Sequence, residues 1–322
     1  MTDPKSHSLL SLKEANRVAV TIVMDNYSEI TLPLSESVSE VVERAPMAID
    51  GKVLPDSLLA ENGLSIWVKV FGDEKTSSIL LDAGWSQICV PHNLNVLGLD
   101  ISEIEAIVLS HGHMDHFGSL YRILQSCHCP IIVHPDVFLP RFHSLKSGKK
   151  ITMPNLKESD LEKMKVKVIK TKKPFSLGNG FIFSSGEILR TIDFQEKTNK
   201  LYIERFGKVE PDRVMDDQSL ILNVKGKGLL IITGCGHAGV VNIIRYAQHI
   251  TGVELVYAII GGFHLMGPCL EQLTEKTIFE LKKINPVWVV PMHCNSWYAT
   301  QKIAQKMPEQ FKLSSVGTTF HF

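Results

Sequence analysis

The chain has no surplus of either charge. Across 322 residues, 34 Lys and Arg balance 34 Asp and Glu, which argues against a binder of nucleic acid or another polyanion. No apolar run approaches the roughly 20 residues that span a bilayer. The opening, MTDPKSHSLL, lacks the basic and apolar regions of a secretory leader, so neither membrane insertion nor standard secretion is expected. Cysteine is sparse: Cys89, Cys127, Cys129, Cys235, Cys269 and Cys294 are scattered without a CxxC pair, which excludes common zinc and redox spacings. A reducing, cytoplasmic setting is the simplest home for such a chain. Internal repeats and low-complexity tracts are lacking too. What remains is an ordinary globular composition, 44 % hydrophobic and 21 % charged, with ample material for a buried core.

Histidine, by contrast, is plentiful at 13, and several histidines stand where an apolar run has just ended. The strands therefore come first. Arg17–Met24, 64–71 and 78–81 alternate or run apolar with β-branched residues and predict three strands that open a sheet antiparallel. The polar, proline-containing stretch at 34–52 reads as a mobile segment or short helix. A helical turn opened by Asp100 covers 101–105, and the apolar strand 106–109 runs straight into Ser110-His111-Gly112-His113-Met114-Asp115-His116. Helical spacing follows over 117–127, then a strand at 131–134. The polar and basic stretch 137–160 reads as an excursion over one rim, with 138–160 as a covering insertion in a single domain of 1–322. Strands at 166–170, 181–184 and 219–224 are assigned to a second sheet, and 229–233 ends at Gly234-Cys235-Gly236-His237. Helices at 238–249 and 270–283 then alternate with strands at 255–260 and 287–291. Two sheets with helices outside them are the expected α/β architecture.

His111-x-His113-x-Asp115-His116 places three imidazoles and a carboxylate within six residues after a buried strand. Imidazole nitrogen mixed with carboxylate oxygen suits zinc, manganese, iron or nickel rather than calcium. In an extended HxH both side chains point the same way, because side-chain direction alternates with period two. The following Asp-His pair is then available to a second ion. A solvated polar loop is the competing reading, and it requires these groups to converge by accident.

These residues resemble the metallo-β-lactamase superfamily, whose HxHxDH signature matches Ser110 to His116 and whose DxG turn matches Asp82-Ala83-Gly84. The resemblance implies an αββα sandwich with a one- or two-metal site at the sheet edge. It extends to the branch typified by the dihydropterin–ribofuranosylaminobenzene 5′-phosphate synthases, through Glu61-Asn62-Gly63-Leu64-Ser65, Gly186-Glu187-Ile188, Gly261-Gly262-Phe263-His264-Leu265 and Pro291-Met292-His293-Cys294. Asn62 departs from a histidine expected there, and Asn295-Ser296 from a Thr-Gly-like pair.

The further ligands implied are His237, which a Gly-Cys-Gly turn can deliver to the sheet edge, and His293, at the end of the last core strand. His264 is expected to be a ligand or a general acid beside the metals, and Asp115 a ligand with a catalytic role. The superfamily's common GHTxGS histidine segment appears as Asp216-Asp217-Gln218-Ser219, and Cys235 stands where a bridging aspartate is common. Cys235 reads as a thiolate ligand or a small buried residue under the turn. Asp82 is expected to hold a ligand imidazole or a loop amide in place. His134 is a candidate pocket-lining group. Arg190, Arg205 and the basic segment with Arg141, Lys146, Lys149 and Lys150 are candidates for a phosphate.

The cofactor implied is one or two divalent ions: zinc first, with manganese, iron, nickel or magnesium as alternatives. The substrate implied is small and phosphorylated or pterin-like. Three functions fit: a synthase that condenses a pterin methyl diphosphate with an arylamine, a metal-dependent hydrolase of a phosphoester, and a non-catalytic metal or ligand sensor. Oligomeric state, including a homo-oligomer, is left open.

Overall fold

The computed structural model describes residues 9–33, 41–46, 48–49, 52–54, 56–72, 75–145, 147, 149–192, 201–267 and 269–322. Alternation decides the architecture. In the strand Thr76–Leu81, Ile79 and Leu81 face one core while Leu80 faces another; in Gly228–Thr233, Leu230 and Ile232 likewise separate from Leu229 and Ile231. Strands apolar on both faces must be covered on both. The inner residues of the two sheets, among them Val20, Ile66, Ile79, Leu222, Ile232 and Ile260, share one core. Outside the first sheet, Leu80 and Ile107 pack with Val90, Leu94 and Ile123 of the helices Cys89–Val96 and Leu120–Ser126. Outside the second, Ile231, Ile259 and Val289 pack with Val241, Ile244, Leu281 and Ile303. The result is a helix–sheet–sheet–helix stack.

The first sheet has the order Val168–Lys170, Ile131–Val133, Ile104–Val108, Thr76–Leu81, Ser65–Phe71, Arg17–Met24, Thr319–His321, Val42–Glu43. Its first four strands run parallel, and the rest pair antiparallel. The second runs Phe175–Leu177, Ile182–Ser184, Ser219–Val224, Gly228–Thr233, Val256–Gly261, Trp288–Pro291, with Glu14–Ala15 beside Ser219–Val224. Its last three strands are parallel. They are joined by helices whose chemistry is legible. Val240–Thr251 buries Val240, Ile243, Ile244 and Ala247 at helical spacing and stops at left-handed Gly252, whose N–H closes onto Gln248 O. Trp297–Lys306 begins at Ser296, whose Oγ accepts the Ala299 N–H.

Three expectations change. Residues 166–170 do not join the second sheet: Val168–Lys170 lies on the edge of the first, parallel to Ile131–Val133, because the helix Glu158–Lys163 returns the chain to the same sheet. The basic excursion has strand structure of its own. Its strands Arg141–Ser144 and Lys150–Thr152 join Leu201–Arg205 and Lys208–Pro211 in a separate four-stranded antiparallel sheet. Within 34–52, residues 34–40, 47 and 50–51 lie outside the described ones, and the described remainder holds the short strands Val42–Glu43 and Ala48–Ile49 rather than a helix. Cys127 and Cys129 are joined by a disulfide at the end of the helix Leu120–Ser126, a pairing that their spacing did not announce. Among the described residues, no helix is long and apolar enough to cross a membrane.

Candidate metal centre

The strands deliver their ends to one edge. Asp82 follows Thr76–Leu81, His111 to His116 follow Ile104–Val108, His237 follows Gly228–Thr233, His264 follows Val256–Gly261 and His293 follows Trp288–Pro291. Each sits within a few residues of the C-terminal end of its strand, the usual place for a site in sheets of this kind. The backbone there is bent. Asp82 (φ 62°), His264 (φ 49°) and His293 (φ 57°) all occupy the left-handed region, at a cost of about 1–3 kcal/mol apiece. Hydrogen bonds hold two of them: Asp82 N–H donates to Val108 O at 2.9 Å, and His293 N–H donates to Asp25 Oδ1 at 2.9 Å. Asn26 Nδ2 donates to His293 O at 2.8 Å.

The candidate donor atoms fall into two principal sets, each lying within 4.8 Å of one another: His111, His113 and His237 in one, Asp115, His116, Cys235 and His293 in the other. His111 Nε2 is 2.9 Å from His113 Nδ1. His116 Nε2 is 3.2 Å from both Cys235 Sγ and His293 Nε2. The Asp115 Oδ2 atom is 3.5 Å from His293 Nε2 and 3.7 Å from His116 Nε2. His264, half-buried, tilts over His237 with ring centroids 4.0 Å apart and forms a third grouping with His237 and Cys235.

Beneath this lies Asp82, fully buried. Its Oδ1 accepts the Ser110 N–H at 2.7 Å, and its Oδ2 accepts the Ser110 hydroxyl and pairs with His116 Nδ1, each at 2.7 Å. The carboxylate thus fixes both a loop amide and an imidazole, and turns His116 Nε2 towards its neighbours.

Electrostatics separate the two sets. Burial, then the neighbouring His116 and His113, push His111 well below the ordinary histidine range. Burial, then Arg141, push His113 down to about 3. His116 goes the other way: burial opposes its charge, but Asp82 and Asp115 overcome that and raise it to about 9. Burial also works against ionisation of Asp115, yet His116 and His293 hold its carboxyl well below the usual range.

Does this donor set fit divalent ions? His113 Nε2 is buried with no hydrogen-bond partner, which costs about 1–3 kcal/mol when nothing else satisfies it. It belongs to a set of three imidazoles that lies beside a second set of imidazole, carboxylate and thiol donors, the ligand types that suit zinc and related ions. The residues fit.

Other expected site residues fall elsewhere. His134 is buried, its Nε2 lies 3.1 Å from Glu187 Oε2 and its Nδ1 accepts the Asp136 N–H, and it is in none of the three donor groupings. Arg141 is not an exposed anion-binder. Only 2 % exposed, it donates to Asp212 Oδ2 at 2.9 Å and to both oxygens of Asp216 at 2.7 Å. Its length and the apolar surroundings of its strand draw the head inward, where two carboxylates balance it. Arg205 forks onto Asp136 at 3.0 and 2.7 Å and reaches Glu210 at 2.8 Å. Arg190 donates to Val214 O. Lys149 and Lys150 are exposed, and Lys146 lies outside the described residues.

Reading the sequence missed Asp25 and Asn26, although they hold His293 in its bent conformation. It also missed Asp216, whose Oδ2 accepts the Gly112 N–H at 2.8 Å, and Cys294, whose thiol donates to Cys235 O at 3.1 Å. Only the strand-end position of these residues could have signalled them.

The metallo-beta-lactamase superfamily model matches residues 61–249. The chain belongs to that superfamily. A 7,8-dihydropterin-6-methyl-4-(beta-D-ribofuranosyl)-aminobenzene-5'-phosphate synthase from Methanocaldococcus jannaschii is 31 % identical over 272 residues, covering 82 % of this chain and 90 % of that protein. An uncharacterized protein of the same organism is 29 % identical, covering 79 % of this chain and 93 % of its own length. Among solved structures, Tm1679, described as a metal-dependent hydrolase of the beta-lactamase superfamily, superposes with a TM-score of 0.71 at 20 % identity, covering 94 % of this chain and 98 % of that one. The superfamily fold implies divalent-metal binding, and the two donor sets are the candidate positions.

Proposed function

We propose that this superfamily member is a metal-dependent synthase that joins a dihydropterin methyl diphosphate to a ribofuranosylaminobenzene 5′-phosphate with release of diphosphate. The observation that carries the reading is the likeness to the synthase-named relative over nine tenths of that protein's length. The site's chemistry supports it. His111, His113 and His237 would hold one divalent ion, and Asp115, His116, His293 and Cys235 a second, zinc being the ion these donors suit best. Such ions, when bound, neutralise charge that develops on the leaving oxygens.

The chain's own residues manage the rest. Asp82 keeps His116 in one tautomer and orientation. Asp115 adds negative charge beside the second ion. His264, stacked on His237 with its Nδ1 buried and without a hydrogen-bond partner, is the proton carrier: it protonates a diphosphate oxygen as the nitrogen–carbon bond forms and the carbon–oxygen bond breaks.

The test is a paired incubation of zinc-loaded protein with the pterin diphosphate, with and without the arylamine phosphate, following diphosphate release and the coupled product. The proposal expects both products only when the arylamine is present. Diphosphate release that is indifferent to the arylamine overturns it in favour of a hydrolase, and no turnover by a metal-loaded protein overturns the enzyme reading.

A further inference from the structure

We infer that Asp216-Asp217-Gln218 is a positioning yoke that sets the distance between the two loops supplying His111, His113 and His237. The inference rests on the reading that those three imidazoles share one ion. They come from different sheets: two from the loop after Ile104–Val108, one from the loop after Gly228–Thr233. Nothing in either loop alone fixes their separation.

The three-residue segment touches both. On one side, Asp216 Oδ2 accepts the Gly112 N–H at 2.8 Å, between the two histidines. Gln218 N–H donates to Ser110 O at 2.9 Å, and Gln218 Nε2 donates to Leu109 O at 2.8 Å. On the other side, Asp217 Oδ2 accepts the Ala238 N–H at 2.8 Å, the amide immediately after His237. All three side chains are buried, at 0, 1 and 0 % exposure. Such bonds are stiff because a buried donor or acceptor has no water to turn to.

The yoke is itself anchored. Arg141 binds both oxygens of Asp216 and also Asp212, and so ties the yoke to the four-stranded sheet. Gly112 leaves no slack: a Cβ there would come within 2.3 Å of Arg141 Nη1 and 2.4 Å of Val137 O. Asp217 bonds the amide next to His237, a donor of the first set, whereas His116 and His293 of the second set are held by Asp82 and Asp25. The yoke therefore acts chiefly on the three-imidazole position, and its residues position ligands without touching substrate.

The full-length protein, stripped of metal, is titrated with zinc against a chromophoric chelator and with cobalt(II) to read the visible spectrum, and its metal-free unfolding midpoint is recorded. Two equivalents are expected for the wild type. Asp217→Asn keeps the size of the side chain but weakens its grip on the His237 loop. It should bind one equivalent about 10–100-fold more weakly, the usual effect of losing a group that orients a ligand. The other equivalent keeps its affinity, and the cobalt spectrum changes for one ion only. Gln218→Met, which removes the bond to Leu109 O, should weaken the same equivalent and carries the test alone where Asp217→Asn does not fold. Wild-type affinity at both positions, or equal weakening of both together with a lower metal-free midpoint, overturns the yoke while leaving the site intact. A wild type that takes up no zinc overturns the reading of the site itself.

Discussion

The two donor sets sit side by side yet are built on opposite principles. The first, His111, His113 and His237, is made of imidazoles alone, and burial holds two of them, His111 and His113, below the ordinary histidine range. The second combines His116 and His293 with a carboxylate and a thiol, and Asp82 backs His116 directly at 2.7 Å. The second set carries negative charge among its own donors, and the first does not. A cation is better compensated in the second, which should hold its ion more tightly and release the first ion to a chelator earlier.

Breaking each set in turn should separate them most clearly. His113→Ala and Asp115→Ala are each expected to lose one equivalent of metal, from different sets, while the fold persists on its three cores. Elemental analysis and circular dichroism check this, and equal metal content in wild type and both variants would overturn the partition. His264→Ala belongs to neither set. It should keep its metal and lower kcat and kcat/KM together by about 10²–10⁴, the range for a positioned proton carrier. Loss of metal in steady-state preparations of that variant would make His264 a ligand instead.

Asp82→Asn should weaken the second ion by about 10–100-fold, and the first less, because Asp82 reaches His111 only through the Ser110 hydroxyl, as measured by chelator competition. The gentlest probe is pH. In the metal-free protein His116 holds its proton up to about 9, and an entering ion must displace it. Affinity of the second set should therefore rise by at least about tenfold per pH unit across the neutral range, more steeply as the buried Cys235 thiol also gives up its proton to the ion, and the His116 contribution should end as pH passes its value. Burial already holds His111 and His113 below the ordinary histidine range, so they add no such rise and the first set should show the shallower slope. Parallel pH slopes for the two ions would contradict the contrast.

The same contrast explains what could be seen in the sequence. HxHxDH packs four donors into one short loop, so the N-terminal half of the centre was legible from spacing alone. Strands such as Arg17–Met24 and Ser219–Val224 were legible for a related reason, since alternation is local. His237, His264 and His293 stood out only as strand-end histidines, because their convergence depends on three parallel strands meeting at one edge. The placement of Val168–Lys170 and the inward turn of Arg141 were invisible. Both depend on partners far away in the chain, Ile131–Val133 for one and Asp212 and Asp216 for the other.

The tight clearance around Gly112 bears on how this scaffold could be redesigned. The signature that defines the loop leaves its second position unspecified, yet here that position admits no side chain without moving Arg141 or Val137. A library that randomises residue 112 would spend nearly all its members on misassembled loops. Met114, which is only half-buried and lies between His113 and Asp115, is the site at which variation should be survivable.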